Sequence, residues 1–479
     1  MRPRSLEDLA GVLTAEQAER LRSTAARALA TLSGRVVWNV SSTATGGGVA
    51  EMLRTLLGYV GGAGMRTRWQ VLAGDPEFFR LTKGLHNAMH GAGDGTGLGA
   101  DERGHYERVL LRNLPDLLAA VSREDVVILH DPQTAGLVGP LRRAGVPVVW
   151  RCHIGRDAPN PVSEAAWEFL RPYVEPADAA VFSRRQYAPP WIPADRLWVI
   201  PPSIDPLSAK NRPIPAEECV RILVRAGLLG ADGSTGPTGA VPDGPPPPPD
   251  ARLVIQVSRW DRLKDMTGVI RGFARAAAAD DVHLMLVGPD VAGVTDDPEG
   301  AEVLADCVTT WRGLPPALRA RVHLASVPMD DPEENATIVN AVQRHATVVV
   351  QKSLAEGFGL TVAEAMWKAR PVVASEVGGI QDQISDGEDG VLVGDPLDLS
   401  AFGAAVGRLL ADPPLAGRLG DAAHRTVGSR YLGDRHLEQY ADLVETVLRR
   451  SRTAESGLPA PGFGGVLAAR VSLPARPAR

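Results

Sequence analysis

The sequence predicts an α/β protein of two doubly wound domains facing each other across a cleft. Three observations predict it. Short apolar runs alternate with helically spaced segments from Val36 onward, the signature of βαβ units and a parallel sheet. The alternation breaks at residues 229–250, LGADGSTGPTGAVPDGPPPPPD, and restarts at Arg252. The length of 479 residues accommodates two large α/β domains.

Residues 1–34 are a lead-in with helical spacing. The first domain, 35–228, has strand-like runs VVWNV (36–40), WQVLAG (69–74), VVILH (126–130), VPVVWRC (146–152), AAVFS (179–183) and LWVIPP (197–202). Glycine and five consecutive prolines exclude a helix or a central strand from 229–250, which reads as an exposed linker or flexible insertion. The second domain, 251–434, has RLVIQVS (252–258), VHLMLVG (282–288), RVHLAS (321–326), TVVVQK (347–352) and PVVAS (371–375). A final helix is expected at 435–451. Residues 452–479, rich in Pro, Gly, Ala and Arg, read as a disordered tail.

Composition narrows the class. A hydrophobic fraction of 44% suits a globular core, and a net charge of −6 gives no electrostatic footprint for nucleic acid. No apolar run reaches the roughly 18 residues of a membrane span, and MRPRSLEDLAG lacks the apolar core of a signal peptide. Cys152, Cys219 and Cys307 are odd in number and far apart. They argue against a disulfide framework or metal cluster and for a reducing cytoplasm. Arginine dominates the basic residues, and the lysines are Lys83, Lys210, Lys264, Lys352 and Lys368. Each lysine goes against the chain's own bias.

Five stretches carry chemistry. In EGFGLTVAE, Glu356 to Glu364, Gly357 and Gly359 let the backbone approach a ligand, and a helix starts near Leu360 or Thr361. Its N-terminus favours an anion. Carboxylates beside it suit vicinal diols, as in a ribose or hexose; taken alone, Glu364 reads equally as a capping or surface residue. In QVSRWDRLKD, Arg259 and Lys264 follow a strand end, where a fork and a point charge suit phosphate; a solvated turn is the alternative. His153 follows the next candidate strand end, in VVWRCHIGRD, and a structural histidine is the alternative. His130, Asp131 and Gln133 follow another, in VVILHDPQTAG, and suit a polar acceptor. The fifth stretch is Gly46–Gly48, between a strand-like run and a helical segment. It departs from the dinucleotide fingerprint, because Glu51 stands where the third glycine belongs. No Asp-x-Asp occurs, which disfavours a diphosphate gripped through a metal.

The set Arg259, Lys264, Glu356 and Glu364 resembles the donor site of retaining glycosyltransferases of the GT4 family, with the GT-B fold of two Rossmann-like domains. GGGVAEML (46–53), FFRLTKGLHNAMHG (78–91), HDPQTAGL (130–137), WRCHIGRD (150–157), PPSIDPLSAKN (201–211) and LVGPDVAGVTDDPEG (286–300) are similar to the trehalose synthase branch. Fungal-type retaining trehalose phosphorylases are similar too. The resemblance implies a cytoplasmic hexosyltransferase making α,α-trehalose from a nucleoside-diphosphate glucose and glucose, with a phosphorylase or another acceptor as alternatives. It implies that Arg259 and Lys264 neutralise the diphosphate, that Glu364 takes the ribose hydroxyls and that Glu356 holds the glucose. Backbone N–H groups of Gly357, Phe358, Gly359 and Leu360 assist. His153 reaches the 6-hydroxyl near the reacting centre, while Gly47 and Gly48 bring backbone to the diphosphate. Asp131, Gln133, Lys83 and Asn87 are the weaker acceptor candidates. No metal or other cofactor is implied, and the partners are the small-molecule substrates, without nucleic acid or membrane. The sequence leaves the oligomeric state open, a homodimer included.

Overall fold

The computed structural model describes residues 2–44, 47–93, 97–230, 240–241, 245–276, 281–291 and 298–456. Two compact units divide the chain: Met1–Pro202 with Gly433–Arg479, and Ser203–Leu432.

The first unit holds strands β1 (Val37–Ser41), β2 (Thr67–Val71), β3 (Val126–His130), β4 (Val148–Arg151), β5 (Ala179–Phe182) and β6 (Leu197–Val199). They form one parallel sheet in the order β2-β1-β3-β4-β5-β6. Each residue of β3, β4 and β5 is buried, as expected of strands covered on both faces. Side-chain alternation sorts them. Val127, Leu129, Val148, Trp150, Ala180 and Phe182 join the larger core with Phe78, Tyr106 and Phe169. Val126, Ile128, Val149, Ala179 and Val181 pack instead against Leu443, Val444, Val447 and Leu448 of the helix Gly433–Ser456. That helix therefore belongs to the first sheet. The lead-in forms helices Leu6–Ala10 and Ala15–Thr31, the second started by a Thr14/Gln17 capping box.

The second unit holds β7 (Ala240–Val241), β8 (Arg252–Val257), β9 (Val282–Pro289), β10 (Val322–Val327), β11 (Val348–Gln351), β12 (Val372–Ser375) and β13 (Val391–Val393). The sheet order is β13-β12-β11-β8-β9-β10-β7, parallel except for the β10–β7 pair. β7 lies in the proline-rich stretch, at the sheet edge, where missing N–H donors do least harm. The same stretch does not join the two units. The division falls at Pro202, and the helix Ala216–Arg225 packs against Pro332–His345 within the second unit. Gly230 N–H bonds to the Pro247 carbonyl at 2.9 Å, tying the ends of the stretch together. The final helix runs from Gly433 to Ser456, longer than the spacing predicts; the expected tail beyond it lies outside the described residues.

In each sheet the order reverses once, between β1 and β3 and between β8 and β11. Ligands of open α/β sheets bind outside the strand carboxyl ends at such points.

Candidate active site

At the second unit's reversal, the loops after β8 and β11 meet. Buried Gln256, on β8, joins them: its Nε2 donates to the Lys264 carbonyl at 2.8 Å and its Oε1 accepts from Lys352 N at 2.9 Å. This clasp brings Lys264 to Glu356, with Nζ to Oε2 at 2.6 Å. Ser353 Oγ donates to the same carboxylate oxygen at 3.2 Å. Behind them, Lys352 pairs with Asp265, which has a left-handed backbone (φ 46°) and caps the helix Met266–Phe273 by accepting Gly268 N–H on its carboxylate Oδ1 at 3.0 Å. Arg259 is exposed on the β8 loop and pairs with Asp261 at 2.9 Å. The structure thus brings Lys264 to Glu356, with Arg259 on the same loop after β8.

The helix Leu360–Trp367 starts where the sequence predicts, capped by Gly359 at φ 87°. Only glycine takes this conformation without strain. The Phe358 side chain is buried, tilted against Tyr431, and the Phe358 carbonyl accepts from Gln383 Nε2. Phe358 can therefore offer a ligand its backbone, not its ring. Glu364 lies one turn inside the helix and is buried. Its Oε1 is 3.7 Å from Lys210 Nζ. Buried Lys368 donates to the Glu364 carbonyl, Asn211 Oδ1 and Gln343 Oε1 at 3.0, 2.9 and 2.8 Å. Burial brings its ammonium down to about 7, against the pull of Glu364.

At the first unit's reversal, Gly47 opens the helix Gly47–Gly62 and Gly48 is exposed on it; Gly46 lies outside the described residues. His130, at the end of β3, is turned inward and 2% exposed. Its Nε2 lies 3.0 Å from Asn39 Oδ1 and its Nδ1 3.3 Å from His153 Nε2. The two imidazoles stack at 5.6 Å. Asp131 has φ 63°, a strained value for a residue other than glycine. Its Oδ1 accepts His153 N–H at 2.7 Å, so the carboxylate sets the loop that carries His153. Burial raises the Asp131 carboxyl to about 6. Gln133 is half-buried on the short 3-10 turn that follows. Lys83 and Asn87 lie one turn apart on the exposed face of the helix Pro76–Met89, and no hydrogen bond joins either to Asp131 or His153.

Sequence reasoning passed over Gln256, Asn39, Arg151 and Asp265. It marked Lys210, Lys352 and Lys368 by their rarity alone. Strand parity was the missing signal for Asn39 and Arg151, because it places them on the face they share with His130.

Residues 39–189 match the family described as "Trehalose synthase, N-terminal domain", and residues 251–412 match "Glycosyl transferases group 1". A trehalose synthase of Rubrobacter xylanophilus is 36% identical over 449 residues, covering 93% of this chain and 97% of that one. A trehalose synthase of Pyrococcus horikoshii is 34% identical over 455 residues, with 93% and 97% covered. A trehalose phosphorylase of Pleurotus pulmonarius is 26% identical over 413 residues, which is 81% of this chain but 54% of that one. Among solved structures, a UDP-forming α,α-trehalose-phosphate synthase from Burkholderia xenovorans superposes with a TM-score of 0.63 at 17% identity, covering 87% and 99%. At that identity the likeness speaks for the fold, which is GT-B. With synthase relatives aligned over nearly their whole length, the chain belongs to the trehalose synthase family and is a glycosyltransferase.

Proposed function

We propose that the protein transfers glucose from a nucleoside-diphosphate glucose to the anomeric hydroxyl of free glucose, reversibly, giving α,α-trehalose and the nucleoside diphosphate. The observation that carries this reading is the Lys264–Glu356 pair at the strand-end reversal, with Arg259 on the same β8 loop as Lys264 and the helix Leu360–Trp367 starting four residues after Glu356. Glu356 occupies one of the three N–H donors of Lys264, and the others suit phosphate oxygens. Arg259, Lys264 and the helix N-terminus act as fixed charges toward the leaving diphosphate. They meet its charge without calling on a metal. Glu356 takes sugar hydroxyls, assisted by backbone from Gly357 to Leu360. Glu364, steadied by Lys210, takes the ribose diol. In the first unit, His153 meets the 6-hydroxyl of the transferred sugar and Gly47 and Gly48 approach the diphosphate. Asp131 and Gln133 serve the acceptor; the exposed positions of Lys83 and Asn87 make them its weakest candidates.

The C1–O bond to phosphate breaks as the acceptor oxygen bonds to C1 from the same face. The departing phosphate oxygen takes the acceptor proton, so the α configuration is retained and no protein nucleophile is needed. The near-complete coverage of the synthases, against about half of the phosphorylase, supports transfer from a nucleotide sugar over phosphorolysis. The test is product analysis with ADP-, UDP- and GDP-glucose plus glucose, without and then with inorganic phosphate. Trehalose formed without phosphate is expected. Glucose 1-phosphate released from trehalose and phosphate, with no nucleotide needed, would replace this reading by the phosphorylase.

A further inference from the structure

Asn39, His130, Arg151 and Ser183 lie at or next to the carboxyl ends of β1, β3, β4 and β5, all on the sheet face covered by the helix Gly433–Ser456. All four are buried. His130 and Arg151 are direct cross-strand neighbours. Arg151 gives one nitrogen to Ser183 Oγ at 3.1 Å, while its Nε and Nη1 meet no hydrogen-bond acceptor among the described residues. Histidines beside such a cation stay neutral. Burial and Arg151 hold His130 at about 3 and His153 well below its usual value.

A neutral imidazole has one donor and one acceptor nitrogen. Asn39 turns its Oδ1 to His130 Nε2 and leaves its Nδ2 without a partner among the described residues; with the amide in this orientation Nε2 carries the proton and Nδ1 the lone pair. His153 Nε2 faces that lone pair and must donate. The proton of His153 is thereby placed on Nε2, and its Nδ1 is left as an acceptor. The side chain is half-buried, with Nε2 turned inward.

We propose that Asn39 and His130 are positioning residues that hold His153 in its Nε2–H tautomer, so that Nδ1 accepts a hydrogen bond from the 6-hydroxyl of the transferred glucose. The sugar contact rests on the function proposed above; the tautomer does not. Beside the pair stand Arg151 at the end of β4, Asp131 and Cys152 just past the ends of β3 and β4, and His436 of the helix Gly433–Ser456; Arg435 and Tyr440 of that helix act on these neighbours.

Two measurements test this. Long-range proton–nitrogen NMR of the full chain with nitrogen-15 histidine, with the His153 signals identified by their loss in His153→Gln, reads the tautomer directly. A protonated Nε2 and bare Nδ1 are expected, and the opposite pattern overturns the proposal. Asn39→Asp keeps the shape but sets a carboxylate against His130, which favours its doubly protonated form. That form donates from Nδ1 and drives the His153 proton to Nδ1. Turnover of the variant should fall as pH drops through an ionisation the wild type lacks, by about tenfold for the lost hydrogen bond. A donor lacking the 6-hydroxyl should not show the fall. A variant pH profile identical to wild type overturns the positioning role. The expected tautomer in a chain that makes no trehalose from any nucleotide sugar overturns the transferase reading and leaves the tautomer assignment supported.

Discussion

Lys264 and Glu356 depend on each other. Each is mostly buried, at 16% and 12% side-chain exposure, and they touch at 2.6 Å. Lys264→Met leaves the carboxylate where phosphate should sit, without its cation. On the proposed function, kcat should fall about 10²–10³-fold, the usual effect of removing one preorganised charge, with far-ultraviolet circular dichroism unchanged. Unchanged turnover would remove the pair from the donor site. Lys368 gives a prediction about stability. An unfolded lysine keeps its proton to the usual 10.5, whereas burial brings this one to about 7. Between those values the unfolded chain binds more protons, so stability rises with pH; below about 7 the cost of burying the charge is fully present. Lys368→Met should lose that rise in urea unfolding compared at about pH 7 and about pH 9. It should also be less stable at neutral pH by about 1–3 kcal/mol, because Asn211, Gln343 and the Glu364 carbonyl lose their donor. At this scale the sequence was most legible through rarity. Lys210, Lys264, Lys352 and Lys368 all join the networks around Glu356 and Glu364, while Lys83 is exposed. Arg151, one arginine among many, carried no such mark.

At the scale of elements, the loop from Glu356 to Gly359 is shaped by what lies behind it. A side chain at Gly379 would stand 2.6 Å from Phe358 Cα and 2.9 Å from the Gly357 carbonyl. Both are backbone atoms, so the loop itself must move. Gly379→Ala should cost about 1–3 kcal/mol of stability by overpacking. It should also weaken nucleoside-diphosphate binding in calorimetric titration more than it lowers the unfolding midpoint; affinity equal to wild type would show that the loop does not form the site. Buried parallel strands were the easiest elements to read: VVILH is β3 to the residue, because a strand covered on both faces is a plain apolar run. β13, three residues between Gly390 and Gly394, and the two residues of β7 were missed. They are too short for a periodicity to register and owe their conformation to the neighbouring strand.

At the scale of the molecule, the first unit is assembled from two distant parts of the chain. Ending the chain at Leu432 would strip Leu443, Val444, Val447 and Leu448 from the face formed by Val126, Ile128 and Val149. Each such side chain is worth about 1.5–3 kcal/mol when fully buried. Scanning calorimetry of the shortened chain should lose the transition of the first unit and keep that of Ser203–Leu432. Two intact transitions would mean that the helix is dispensable. Local patterns revealed two α/β sheets and a final helix. They did not reveal which sheet the helix covers, because its amphipathic stripe would suit either; nor did the proline-rich stretch mark the true division at Pro202.

That division also sets an order of events during synthesis. Domains ordinarily fold as they emerge, the N-terminal one first. Here the sheet made first waits for a helix made last. At about 5–20 residues per second the intervening unit takes on the order of 10–50 s to emerge. Throughout that interval Val37, Ile128 and Val149 lack their partners from Gly433–Ser456, while Ser203–Leu432 can close on itself. The newborn chain is thus expected to complete its second half first, leaving this apolar face on its older half uncovered until Gly433–Ser456 arrives.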